Sequence, residues 1–593
     1  MSSTAPPELE CDLVMKGGIT SGVVYPGAIT RISGKYRFRN LGGASAGAIA
    51  AVAAAACEYR RNHGDPDAFA VLDEVGEEIT QPGFVLDLFQ PTPAARPAFE
   101  VGLGAVTSSG SLARRLSGAA VSILRVDRRF LLGAAIAVLL WAAIVVTAIW
   151  ALLSGDPGTL EIVAAVVLGV AAIPLAALVV AAFALAAFLR FAGNLDRSLK
   201  ATWWGMCSGR TEAGRPPSSG LTDWLYETVQ HCAGDPPAPL TFRDLVGSDP
   251  ANAEVNLQLV TTDLSASRPV TLPLPEPADE EKPYFFDPDE WRRLFPEAVV
   301  DHMVEATTPW ATADPGREGR RLYPVPGLDL PIVVAARLSL SFPILLSTVP
   351  FWRADGPGDA FVQHTMSDGG ISSNFPIHYF DSLFPGRPTF GLDLQPWRGE
   401  GQELVEMSDQ PRRPGFTEVG SLGAFFEQLL NAARNWRDNM QAELPGYRDR
   451  ICQIRLSSEE GGLNLNMSAE IVDRLVERGV EAGSTVLEPE TFDWNRHRIT
   501  RYWTMMQMLQ QSLGPAGFGR PGVYEGEFPG RVAFLRVVRE WQQAGAAPEP
   551  PPIAWWTNAL RASDAVYALA AEWPDFDAQA PTPKPTMRIV PRA

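Results

Sequence analysis

The chain has 593 residues, 46% hydrophobic and 20% charged, with 28 Phe and 16 Trp; that supports a sizeable core and excludes a disordered chain. A formal net charge of −18 repels phosphate backbones, which excludes nucleic acid as a natural partner and leaves no general pull toward anionic lipid. Five cysteines (Cys11, Cys57, Cys207, Cys232 and Cys452) contain no CxxC pair, so neither a disulfide framework nor a zinc site is expected.

The opening MSSTAPPELE has no basic start and no apolar run, and does not read as a signal peptide. Residues 10–125 read as α/β. A short apolar strand is expected over 12–15, a helix over 21–32, a second strand over 36–41 and an Ala-rich helix over 46–61. Alternating strands and helices predict a parallel sheet.

Two uncharged runs then interrupt. The first, 130–153, has 24 residues and at about 1.5 Å per residue reaches roughly 36 Å, against a hydrocarbon core of about 30 Å. The second, 162–189, is equally apolar and carries Pro174, expected to kink it. The link between them holds Gly, Pro and the acids Asp156 and Glu161. Arg125, Arg128 and Arg129 precede the pair; Arg190, Arg197 and Lys200 follow it. The region 126–200 is therefore expected to be a transmembrane hairpin with both outer flanks in the cytoplasm. A soluble core helix would rarely stay uncharged on every face for this length.

The α/β pattern resumes over 201–400, with strands expected at 255–264 and 388–396. Beyond 400 the chain reads as mainly helical. Phe425, Leu429, Ala433, Trp436 and Met440 recur at helical spacing and predict an amphipathic helix over 421–443. Further helices are expected over 469–480, 499–513, 531–543 and 555–572, before a Pro-rich tail.

Three short motifs carry chemistry. Gly43-Ala44-Ser45-Ala46-Gly47 fits GxSxG between an apolar strand and an Ala-rich helix. A serine that attacks a carbonyl must project from a sharp strand-to-helix turn, where flanking side chains would clash and the helix N-terminus favours negative charge. Lys16-Gly17-Gly18 follows the first strand, and adjacent glycines leave backbone N–H groups able to approach an oxyanion. Asp368-Gly369-Gly370 offers a carboxylate on a turn that can approach another loop. None of the six histidines (His63, His231, His302, His364, His378 and His497) occupies a triad position, so a serine nucleophile here would need a carboxylate base.

Together the glycine loop, the GxSxG elbow and the DGG with its downstream N-x-P resemble the patatin-like phospholipase family. VTTDLSASRPV (260–270) and AARLSLSFPILLSTVPF (335–351) strengthen the likeness, which spans roughly 10–125 and 240–400. The resemblance implies a three-layer α/β/α core with a flavodoxin-like parallel sheet. It makes Ser45 the nucleophile, Asp368 the base, and Gly17 and Gly18 the oxyanion donors, with Gly43, Gly47, Gly369 and Gly370 shaping the turns. Lys16 stands where the family's first glycine is usual, and Thr20 where a basic residue is expected. The implied activity is hydrolysis of lipid acyl esters through an acyl-serine, with no metal or organic cofactor; the topology of the hairpin places it at the cytoplasmic face of a bacterial inner membrane. The bilayer and a membrane lipid are the implied partners. A lipid acyltransferase with the same dyad, or a non-catalytic scaffold or sensor keeping the fold, fits the same motifs; the sequence does not give the oligomeric state. The helical region after 400 is expected to contribute structure rather than catalysis.

Overall fold

The structure is a computed structural model. It describes residues 7–107 and 128–513, apart from Ile19, 155–156, 214–217, 250–251, 276–281, 311–320, 357–359, 383–384, 398, 400, 409–418, 421, 458, 462–463 and 466, together with scattered positions between 536 and 569. Strand β1 (Leu9–Met15) is buried over its last five residues, as a strand covered on both faces must be. It leads through a short turn into helix α1 (Tyr25–Ser33), which begins with Pro26 in its first turn. Strand β2 (Tyr36–Gly43) pairs with β1 in parallel, Leu13 opposite Leu41 and Met15 opposite Gly43. Helix α2 (Ala46–Asn62) follows, with every residue from Ala50 to Glu58 buried. Its small side chains let it lie close to the sheet, and the buried Glu58 is neutralised by Arg61 and accepts the Phe38 N–H at 3.1 Å.

Two helices then stand apart from this core, α3 (Arg128–Leu153) and α4 (Thr159–Ala201). Both are long and apolar enough to cross a membrane, and their apolar windows are almost wholly exposed. Leu139 and Val170 are 68% and 65% exposed, which water would penalise and lipid would not. The two pack on each other: Gly133 lies against Phe183, Gly169 near Ile149, and Trp141 donates to the Ala172 carbonyl at 3.3 Å. Pro174 sits inside α4 without ending it. The helix also runs twelve residues past the expected end at 189. Those residues include the weak helix formers Gly193 and Asn194, but Asp196 and Lys200 pair across one turn at 2.9 Å. At about 1.5 Å per residue this adds roughly 18 Å of polar helix between the apolar span and the body.

The end of α4 is stitched to the second half of the core. Strand β3 (Gly205–Cys207) precedes helix α5 (Leu221–Cys232), strand β4 (Asn256–Asp263), helix α6 (Ile332–Ser339) and strand β5 (Ile344–Leu346). Strands β3 and β5 pair in parallel, and the Thr348 N–H donates to the Trp203 carbonyl at 2.8 Å. Strands β6 (Val349–Arg353), β7 (Val362–Ser367) and β8 (Thr389–Pro396), helix α7 (Leu422–Ala442), strand β9 (Ile451–Leu456) and helices α8 (Ala469–Leu487) and α9 (Trp494–Leu513) complete the described elements used below. The main sheet has eleven strands, and its centre is parallel in the order β9–β8–β1–β2–β4. Beyond β4 the pairing turns antiparallel through β7 and β6. The molecule is thus a mixed α/β protein with a large sheet, parallel at its centre, and two apolar helices.

Two features of the C-terminal third depart from the sequence reading. Ile451–Leu456 is not part of a helical region: all six residues are buried and form a strand of the central sheet. Helix α7 matches the expected 421–443, yet its apolar stripe points outward, with Phe425, Leu429, Trp436 and Met440 all at least half exposed. The opposite face, carrying Arg434 and Asp438, is the one that meets the core. Helices α8 and α9 extend the expected 469–480 and 499–513. The helices expected over 531–543 and 555–572 fall largely outside the described residues, as does the tail.

Candidate active site

The carboxyl ends of parallel strands are where an α/β sheet opens a crevice, and the three motifs meet there. Ser45 leaves β2 and caps α2 with φ +53° and ψ −127°, a backbone conformation that an L-residue adopts only under constraint. The turn closes with Gly47 N–H donating to the Ala44 carbonyl and Ala48 N–H to the Ser45 carbonyl, both at 2.9 Å. Glycine is required on both sides for a stated reason. A Cβ on Gly43 would run into the Gly47 backbone, and one on Gly47 into the Met15 carbonyl. The Ser45 N–H is held by the Ser339 hydroxyl at 3.1 Å.

Asp368 ends β7 and begins the Gly369-Gly370 turn. It is 1% exposed, as is Ser45. Its backbone N–H donates to the Ser341 carbonyl at 3.0 Å, and its Oδ1 accepts the Gly370 N–H at 2.8 Å. The Ser45 hydroxyl lies near enough to this carboxyl to favour its ionised form, but no hydrogen bond closes on Oδ2, which is buried without a donor. Burial pushes the Asp368 pKa up to about 6, against the lowering effects of the Ser45 hydroxyl, the Arg434 guanidinium and the Gly370 N–H. Gly369 is needed because a Cβ there would strike the Val260 carbonyl of β4.

The glycine loop lies against the serine: a Cβ on Gly17 would approach both the Ala44 carbonyl and the Ser45 Cβ. One expected role has to be corrected here. The Gly17 N–H is committed to the Asn374 carbonyl at 2.9 Å, because this loop is tied to the DGG loop by backbone. The Gly18 N–H has no acceptor among the described residues, and neither has that of Ala46, the first amide of α2. These two amides are left uncommitted. Lys16 is also not free to meet a substrate charge. Its ammonium is buried and paired with Asp393 of β8 at 2.7 Å.

Residues outside the motifs hold these loops. Arg337, fully buried, donates to Thr222 Oγ1 at 3.1 Å, Ser341 Oγ at 2.6 Å, and the Ser208 and Ser347 carbonyls at 3.0 and 2.9 Å. It fixes the turn after α6 whose Ser339 and Ser341 reach Ser45 and Asp368. Burial lowers its pKa to about 10, still cationic at neutral pH. From α7, Asp438 accepts the N–H groups of Asn374 and Phe375 at 2.7 and 2.9 Å, and Arg434 reaches the Gly370 carbonyl at 2.8 Å. The sequence marked neither α7 residue, because nothing local distinguishes an Arg and an Asp four apart from a solvated pair. Among the described residues no histidine bonds Ser45 or Asp368. His364 sits instead between Asp263 and Asp355, at 2.7 and 3.1 Å.

A cavity of about 100 Å³ is lined by Ala46, the residue after the serine, with Leu340, Val23, Ile29, Ala50 and Trp224; Ser45 itself does not line it. Its lining is almost wholly apolar. A larger polar cleft of about 410 Å³, around Arg448, Asp449 and His497, includes neither Ser45 nor Asp368.

No protein-family model matches the chain. A protein of Rhizobium meliloti (strain 1021) named RpoH suppressor is 31% identical to it, over an alignment that covers 99% of each chain.

Proposed function

From the premise that the chain belongs to the family of the Rhizobium meliloti RpoH suppressor, a name that states no chemistry, we infer the reaction from the site: a patatin-like serine acyl hydrolase acting on lipid esters. The observation that carries this reading is the strained, buried Ser45 at the N-terminus of α2, its hydroxyl beside a buried carboxyl whose Oδ2 has no other donor. A structural serine has no need of positive φ, and a carboxylate raised to about 6 is matched to proton transfer near neutrality.

The sequence of events follows from these positions. The Asp368 carboxylate takes the proton from Ser45 Oγ as that oxygen bonds to the ester carbonyl carbon. The Gly18 and Ala46 amides and the α2 dipole stabilise the oxyanion. Collapse breaks the C–O bond, and Asp368 returns the proton to the leaving alcohol. Water, deprotonated by the same carboxylate, then cleaves the acyl-serine and frees the fatty acid and Ser45. The apolar cavity lined by Ala46, next to the serine, supports an acyl group as the group carried. The resemblance of the motifs to patatin-like phospholipases, with the implied three-layer core, supports the same substrate class. The two apolar helices would anchor the body on the cytoplasmic side of a bacterial inner membrane, since the basic residues flank them and the acids lie in the link between them.

The test is hydrolysis of phospholipid and simple acyl esters by the full chain in detergent and in liposomes. The wild type is expected to release free fatty acid, and Ser45→Ala to lose that release while keeping its fold. Equal release by both proteins would rule the assignment out.

A further inference from the structure

Helix α7 belongs to the third of the chain expected to be structural, yet it holds the Asp-Gly-Gly loop and, through Asn374, the glycine loop. Arg434 Nε donates to the Gly370 carbonyl at 2.8 Å, and its Nη2 to Asn374 Oδ1 at 3.1 Å. Gly370 is the residue whose N–H holds Asp368 Oδ1. Asn374 is the residue tied twice to the glycine loop, by its carbonyl to Gly17 N–H at 2.9 Å and by its Nδ2 to the Gly17 carbonyl at 3.3 Å. The assignment of the Asn374 amide follows from this network, since Oδ1 meets a donor and Nδ2 an acceptor. A single planar guanidinium thus forks between the loop that carries the base and the residue that anchors the oxyanion loop.

The geometry points to Arg434 as a positioning residue that sets Asp368 and the Gly17–Gly18 loop in register with each other around Ser45. This rests on the reading of Ser45 and Asp368 as nucleophile and base. Asp438, one turn further along α7, accepts the Asn374 and Phe375 amides and so fixes where α7 sits. Among the described residues of that helix, Arg434 is the one that bonds the Gly370 carbonyl in the turn holding the carboxylate. Its charge also acts on Asp368, favouring the ionised form. Two effects therefore separate in experiment: the fork, which needs a guanidinium, and the charge, which a lysine also supplies.

The measurement is the pH dependence of kcat and KM for a soluble acyl ester, on the full chain in detergent, for wild type, Arg434→Lys and Arg434→Met. Fluorophosphonate labelling of Ser45 is followed in the same preparations. Arg434→Met is expected to lower kcat by about 10- to 100-fold, the scale of a displaced catalytic group, with KM little changed. Its acid limb should move to higher pH, because no cation then opposes protonation of Asp368. Arg434→Lys should keep the wild-type limb and recover only part of kcat. Wild-type kcat and limb in Arg434→Met would overturn the assignment. So would a loss equal in both variants, proportional to lost folded protein and without movement of the limb. If wild type labels at Ser45 and Arg434→Met labels at the same rate, the role of Arg434 fails and the hydrolase reading stands. If wild type does not label, the reading itself fails and takes this inference with it.

Discussion

At the scale of single residues, the site is a conflict between burial and charge. Asp368 is ionised only against desolvation, and its pKa of about 6 lies well above the usual 3.8. As a base it must be the carboxylate. Activity is therefore expected to fall with unit slope as pH drops through about 6, a limb read from kcat/KM on an ester whose own hydrolysis is flat there. A limb near 4 would show an unburied carboxylate. The sign for stability is the reverse of the common Asp case. A folded pKa above the unfolded one means the ionised form is disfavoured in the fold, so the cost is absent below about pH 4 and fully present above about pH 6. At neutral pH it is on the order of 3 kcal/mol. Asp368→Asn is thus expected to abolish turnover while raising resistance to thermal unfolding at pH 7.5, an advantage that vanishes near pH 4. The motifs made Ser45 and Asp368 legible, because a nucleophile turn and a paired-glycine turn each impose local sequence. Arg434, Asn374 and Ser339 were illegible, because their roles exist only through contacts with residues far away in the chain.

At the scale of elements, the helices and strands that carry the motifs were read correctly, since periodicity and Ala content are local signals. Strand β9 was missed: ICQIRL is short and lies among helical segments, and its fate is decided by the parallel pairing with β8, Leu392 against Cys452 and Leu394 against Ile454. The amphipathic pattern of α7 was seen, but its direction was not. The charged face was recruited to the core because it satisfies the buried amides of Asn374 and Phe375 and the carbonyl of Gly370. Helix α6 depends in the same way on Arg337. Arg337→Met would strand buried acceptors at Thr222, Ser341, Ser208 and Ser347. The expected loss is at least about 3 kcal/mol, read as a lower urea midpoint or faster proteolysis of the body. Wild-type stability in that variant would mean the turn after α6 is held by something else. Gly47→Ala is a companion case, expected to lose esterase activity because its Cβ meets the rigid Met15 carbonyl.

At the scale of the whole molecule, an α/β body is joined to two apolar helices through a polar extension of α4, and the join is made by β3 and β5, next to the turn after α6 that Arg337 holds. The two long apolar helices were legible, because length and lack of charge are read directly from the sequence; the extension of α4 was not, because its residues carry no apolar signal. If both flanks face the cytoplasm, a cysteine placed at Gly158 should react with a membrane-impermeant maleimide added outside intact cells. The five native cysteines are buried and should add little background. Labelling only after permeabilisation would reverse the orientation. The most direct measurement of the central claim is peptide mapping of the fluorophosphonate adduct on the full chain. The account expects the adduct on the peptide holding Ser45, formed far more slowly in Asp368→Asn. An adduct on another serine, or one at Ser45 formed equally fast without the carboxylate, would contradict it.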